Sequence, residues 1–159
     1  MLLDLLDEAF DKKSWHGPNL RGSIRGLSAE QAAWRPAPKR HNIWELTLHA
    51  AYWKYVVRRR ITVEKRGSFV LAGSNFFERP LKLTEVELTE VELSEAAWKR
   101  DARILAAEHA ALRDTVARLA LQRSETQKNW ASALHLIRGA AAHDLYHAGQ
   151  IRLLRRLQL

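Results

Sequence analysis

The sequence contains no cysteine, and it has only one methionine, four prolines and seven glycines among 159 residues. The absence of cysteine excludes a disulfide scaffold, a thiolate nucleophile, an iron–sulfur cluster and a cysteine-type zinc site. Any bound metal must therefore be held by histidine or carboxylate, and any thiol chemistry must use a thiol cosubstrate. The longest stretch without charged residues, 67–77, is far shorter than the ~20 residues of a membrane-spanning helix.

The acidic, amphipathic start has neither a basic n-region nor a small-residue cleavage site, so no signal peptide is predicted. We expect a cytoplasmic protein without a membrane partner. The length and the apolar fraction of 47% predict one folded domain over residues 1–159.

Positive charge is in excess: 26 Lys and Arg against 18 Asp and Glu give a formal net charge of +8. This charge is compatible with nucleic-acid binding, but no nucleic-acid motif accompanies it. The basic residues form two groups near the ends of predicted helices, where cations oppose the helix dipole. An up-down arrangement could bring the two groups into one patch. Their members are Lys54, Arg58, Arg59 and Arg60 in one group, and Arg152, Arg155 and Arg156 in the other.

Apolar residues recur with helical periodicity, and the breaks coincide with glycine and proline. The sequence predicts an all-α protein: a four-helix bundle with a long crossover connection between helices 2 and 3. The helices are expected at about 2–10, with Pro18 starting a continuation toward Gly26, then 42–60, 95–119 and 129–157.

Local signals refine this helix prediction. Ser28–Gln31 is typical of a capping box, and Asn42 is an N-cap with Glu45 placed to reach back to it. Residues 61–82 form a long loop with one weak strand candidate at 68–71. The repeat LTEVE-LTEVE at 83–92 fits neither helical nor strand periodicity, and no role is assigned to it.

Three of the seven histidines occupy core-facing positions of predicted helices. His143 and His147 are spaced i, i+4, about 40° apart on one helix face, and His49 lies on the apolar face of the second helix. Each could be a hydrogen-bonded core histidine, because an unpaired buried polar group costs roughly 1–3 kcal/mol. A divalent metal would satisfy all three together, and three imidazoles suit zinc, nickel, copper or iron(II). Such a site with an open position is typical of catalytic centres.

Three segments carry a family resemblance. GAAAHDLYHAGQI at 139–151 and HNIWELTLHAAYW at 41–53 resemble the last-helix and second-helix signatures of the DinB-like (YfiT-like) superfamily, which is grouped as metal-dependent. EQAAWRP at 30–36 is similar to the preceding loop. The resemblance implies a four-helix bundle with a crossover and a metal triad of His49, His143 and His147.

The resemblance also implies one divalent transition metal, such as zinc, nickel, iron or manganese, and a low-molecular-weight thiol cosubstrate. The expected function is a metal-dependent enzyme, a thiol-dependent S-transferase or a hydrolase, acting on a small molecule and forming a homodimer. Its reactive group would be a metal-bound water or thiol. A non-catalytic metal- or ligand-binding stress-response protein is one alternative, and a basic nucleic-acid-binding protein is a disfavoured second one.

Several residues are candidate neighbours of the triad. Tyr146 and Gln150 can assist from the last helix, and His16, Trp44 and Trp53 are candidate pocket walls, although a core position is favoured for Trp53. Asp144 is either an acceptor for an imidazole N–H or an interhelix contact. His41, His109 and His135 carry less weight, and no general base is found on the two inward faces.

Overall fold

The structure, a computed structural model, describes residues 1–80, 93–121 and 130–159, and helices are the only regular secondary structure in these ranges. The all-α prediction is confirmed. The six helices of these ranges are α1 Leu2–Phe10, α2 Leu20–Ile24, α3 Ala29–Ala33, α4 Ile43–Thr62, α5 Glu95–Leu121 and α6 Trp130–Arg156. None of these helices is long and apolar enough to cross a membrane.

Helices α4 and α5 run in the same direction. Near the start of α4, Trp44 donates its Nε1–H to Asp101 over 2.9 Å. Further along both helices, Lys54 Nζ lies 3.3 Å from His109 Nδ1. Parallel neighbours need a connection that returns along the length of the helices, as the predicted crossover does. The repeat at 83–92 lies in this connection and outside the described residues.

Helix α6 runs opposite to α4. Val57 and Leu136 line one pocket, whereas Leu46 and Leu154 line another, so the start of each helix faces the end of the other. The expectation of a joint basic patch is therefore wrong, because the two basic groups lie at opposite ends of the antiparallel pair. Arg155 in addition donates to backbone carbonyl oxygens of 23 and 25.

Several caps are formed as the sequence predicts. Ser28 and Gln31 make a reciprocal capping box at the start of α3. The Asn42 side chain accepts from the backbone N–H of Glu45 over 2.8 Å. Ser94 Oγ accepts from the N–H of Ala97 at the start of α5. Local side-chain to backbone geometry is enough to fix these helix starts.

Three local predictions are wrong. Pro18 does not open a helix, because Asn19 caps the short α2 and its side chain accepts from the N–H of Gly22. Glu45 does not complete a capping box; its carboxylate accepts from the Arg35 guanidinium and other partners instead. Residues 68–71 do not form a strand, and the backbone bends at 69–71.

The core contains a buried charged pair as well as apolar side chains. Lys54 and Asp144 join α4 to α6 by a salt bridge, and their side chains are 2% and 1% exposed. Trp44 is fully buried and packs edge-on against Trp98. Asp144 follows His143 directly on α6, so its salt bridge with Lys54 holds the two histidine-bearing helices against each other.

Candidate metal centre

The structure brings His49, His143 and His147 together between α4 and α6. The Nε2 atom of His143 lies 3.2 Å from that of His49 and 3.0 Å from that of His147. One ligand atom from each ring lies within 4.8 Å of the other two. His143 and His147 share a face because they are one helical turn apart, and the antiparallel packing of α4 supplies His49.

Hydrogen bonds on the far side of two rings orient them toward this point. His49 Nδ1–H donates to the backbone oxygen of Asn75 over 3.0 Å. His147 Nδ1–H donates to Gln150 Oε1 over 2.7 Å, and Gln150 Nε2 donates to the Tyr146 hydroxyl. Because Nδ1 carries the proton in both rings, the Nε2 atoms present lone pairs to the centre.

Burial keeps these imidazoles unprotonated at neutral pH. It lowers the pKa of His49 from 6.5 to about 4 and, together with the neighbouring histidines, the pKa of His143 to about 3. The pKa of His147 is also lowered by burial, although its hydrogen bond to Gln150 acts in the opposite direction. Neutral imidazoles are the form that binds a metal, so protons compete little at pH 7.

The donor set fits a divalent transition metal. Nitrogen ligands of a zinc ion held at about 2.0–2.1 Å lie about 2.8–3.4 Å apart, the lower values in facial and the upper values in tetrahedral geometry. The two Nε2–Nε2 separations that involve His143, 3.2 and 3.0 Å, fall in this range, and the three ligand atoms all lie within 4.8 Å of one another. Two lone pairs at such a distance repel each other unless a cation or a proton lies between them.

An open cleft of about 650 Å³ leads to the three histidines. Its walls are mainly apolar, and its polar groups lie around the histidines and at the loop that precedes α4. A small molecule can therefore reach the centre from solvent and bury apolar surface as it does so. The lining residues other than the triad are Pro36, Ala37, Arg40, His41, Leu46, Phe76, Tyr146, Gln150, Leu153 and Leu154.

Trp53 lies beside the triad and is half-buried, rather than a core residue. Its ring centroid is 6.3 Å from that of His49 and 6.2 Å from that of His143. Its indole N–H donates to Asn75 Oδ1 over 3.0 Å. The residue thus holds the loop segment whose carbonyl orients His49.

Two other predicted pocket walls lie elsewhere. His16 is exposed and lines a separate pocket with Leu145 and Arg152. Trp44 is fully buried in the contact between α4 and α5. Asp144 is engaged by Lys54, so it acts as an interhelix contact.

Two loop residues, His41 and Phe76, lie closer to the centre than the sequence indicated. His41 and Phe76 stack with ring centroids 3.7 Å apart, and Phe76 stacks in turn on His49 at 4.0 Å. The aromatic pair at 76–77 in a long loop was the available signal. Asn75, with φ of 66°, gave no signal, because a backbone carbonyl is supplied by any residue.

One family of known proteins is similar to this chain. Neither the curated proteins nor the solved structures contain a match to the chain. The family model described as the DinB superfamily matches residues 14–151, a span that includes all three histidines and every residue of the cleft lining except Leu153 and Leu154. The chain therefore belongs to the DinB superfamily.

Proposed function

We propose that the protein is a metal-dependent enzyme that binds one divalent transition metal through His49, His143 and His147. The reaction class we propose is transfer of a low-molecular-weight thiol, or of water, to a small electrophilic substrate. The convergence of three Nε2 atoms at an open cleft is the single observation that carries this proposal. A closed structural site would have no need of a cleft that a small molecule can enter.

The residues around the triad have distinct tasks in this proposal. The metal, when bound, supplies Lewis-acid polarisation of a sulfur or oxygen donor. Asn75 and Gln150 hold two of the ligand rings by their Nδ1–H groups. The apolar cleft walls exclude water from the substrate. Since the chain has no cysteine, the thiol has to enter as a cosubstrate.

Metal content tests the site. Wild-type protein purified without an affinity tag is expected to contain one metal ion per chain by elemental analysis, and His147→Ala is expected to lose it. His135→Ala is the matched control, because His135 lies on the same helix about 12 Å from His143. Equal metal content in wild type and His147→Ala contradicts the triad.

Catalysis is tested separately with monochlorobimane as the electrophile and bacillithiol or another low-molecular-weight thiol as the cosubstrate. The enzyme proposal predicts turnover that depends on the bound metal and is lost in His147→Ala. Metal binding without turnover across this thiol series favours a non-catalytic metal-binding protein. The homodimer stays a prediction, which analytical ultracentrifugation can check.

A further inference from the structure

A carboxylate–histidine pair lies on the wall of the cleft, outside the triad. His41 Nδ1 is 2.9 Å from Glu45 Oε2. The Glu45 side chain is only 4% exposed, whereas that of His41 is 47% exposed. The pair therefore joins a buried anion to an imidazole that reaches the cleft.

The Glu45 carboxylate is held in its ionised form. Burial by itself would raise the pKa of Glu45, but hydrogen bonds from Arg35 and His41 and from the N–H of Arg79 outweigh it and lower the pKa. Arg35 donates to both carboxylate oxygens, and the Arg79 N–H lies 3.1 Å from Oε1. An ionised carboxylate only accepts hydrogen bonds, so His41 Nδ1 is the donor.

The ring of His41 is fixed in position as well as in tautomer. It lies parallel to Phe76 within 4°, with ring centroids 3.7 Å apart. Because Nδ1 faces the buried carboxylate, Nε2 lies on the opposite edge of the ring. Within the described ranges, Nε2 has no hydrogen-bond partner, and His41 lines the cleft with the triad. A fixed imidazole with a free Nε2 beside a reaction site is the arrangement that general acid–base catalysis needs.

We propose that His41 is the general acid–base of the cleft, with Glu45 as the carboxylate that positions it. This proposal rests on the proposed function. In thiol transfer to a carbon electrophile, the S–H bond breaks and an S–C bond forms as the leaving group departs with the electrons of its bond to carbon. His41 Nε2 accepts the thiol proton and returns it to solvent or to the leaving group.

Charged and titratable groups on all sides of His41 contribute to the pH dependence of this step. Arg40 and Arg35 come from the loop before α4, and Glu45 comes from the first turn of α4. His49 lies further along α4, whereas His143, His147 and Tyr146 line the cleft from α6. A variant at His41 must therefore be compared with wild type over the full pH range rather than at one pH.

The first test is His41→Gln, with His135→Gln as the control. Metal content is expected to be unchanged in both variants, since neither residue is a proposed ligand. With monochlorobimane and bacillithiol, kcat is expected to fall about 10²–10⁴-fold in His41→Gln, and one ionisation is expected to disappear from its pH profile. Wild-type kcat and an unchanged pH profile would overturn the proposal, as would loss of the metal.

Glu45→Gln separates positioning from a merely structural role. It keeps an acceptor for Nδ1–H but removes the negative charge that stabilises the imidazolium. We expect the acidic limb of the pH profile to move to lower pH in the folded, metal-loaded variant. An unmoved limb contradicts the role of Glu45.

A readout without turnover distinguishes this proposal from the proposed function. In ¹⁵N NMR of wild-type protein at pH 8, the His41 ring is expected to be protonated at Nδ1 and unprotonated at Nε2. If wild type fails to transfer thiol but shows this tautomer, the proposed reaction fails, whereas the positioning of the His41 ring by Glu45 stands. A protonated Nε2 overturns the pair whether or not the enzyme is active.

Discussion

Acidification should destabilise the protein through His109, a buried histidine that lies outside the cleft. Its side chain is 7% exposed, and its ring stacks on Phe10 with centroids 3.7 Å apart. Lys54 Nζ lies 3.3 Å from Nδ1, which therefore accepts the hydrogen bond. Burial, and then the charge of Lys54, lower the pKa of His109 from 6.5 to about 3, against the opposite influence of Asp7.

The sign and size of the effect follow from proton linkage. Between pH 6.5 and 3, the unfolded chain binds a proton at His109 that the folded protein does not bind. The free energy of unfolding therefore falls as the pH is lowered through this window, by up to about 1.4 kcal/mol per pH unit. Between pH 7.5 and 5.0, the loss attributable to His109 is about 2 kcal/mol. The value changes little as long as the folded-state pKa lies below about 4.

The assay is urea denaturation of chelator-treated protein, followed by tryptophan fluorescence at pH 7.5, 6.5, 5.5 and 5.0. His109→Gln remains neutral throughout and can still accept from Lys54. Its free energy of unfolding should fall about 2 kcal/mol less than that of wild type over this range. The triad histidines contribute equally to both proteins and cancel in the difference. His16→Gln, at an exposed position, should follow wild type. Parallel pH dependences in wild type and His109→Gln would refute the reasoning.

Two further predictions concern side-chain contacts of α6: the buried salt bridge of Asp144 and the partly buried hydrogen bond of His147. Lys54→Met leaves the Asp144 carboxylate buried without its cation and should lower the free energy of unfolding by about 3–5 kcal/mol. A double variant that also carries Asp144→Leu should recover much of the lost stability. If Lys54→Met alone is as stable as wild type in urea, the buried pair is contradicted. Gln150→Leu removes the acceptor of His147 Nδ1–H and should weaken zinc binding about 10–100-fold in isothermal titration calorimetry. Gln158→Leu, beyond the end of α6, is the matched control. Equal zinc affinities in the two variants would show that Gln150 does not orient the His147 ring.

The local sequence determined much of the helical framework. Helical periodicity and side-chain caps act over three or four residues, so the ends of α4 and the start of α5 were predictable within a few positions. The same short range put His143 and His147 on one face. The apolar periodicity of α4 identified His49 as inward-facing, although its meeting with the other two histidines depends on how α4 and α6 pack.

Contacts between distant parts of the chain were decided only by the tertiary structure. Glu45 is placed to complete a capping box, yet its buried carboxylate accepts from the guanidinium of Arg35 and from the backbone N–H of Arg79, which is 34 residues away in the sequence. The salt bridge of Lys54 with Asp144 likewise joins two helices that are far apart in sequence. No local pattern records which helices run parallel.

The candidate site shows the same division. The sequence by itself identified the three histidines of the candidate metal centre, because their residue type and their inward-facing helix positions carry the chemistry. Only the tertiary structure decided what surrounds them: the carbonyl of Asn75, the ring of Phe76 and the imidazole of His41, all from segments outside helices. Helix periodicity is a short-range property, whereas the path of a long loop is fixed by the packed surface on which it lies.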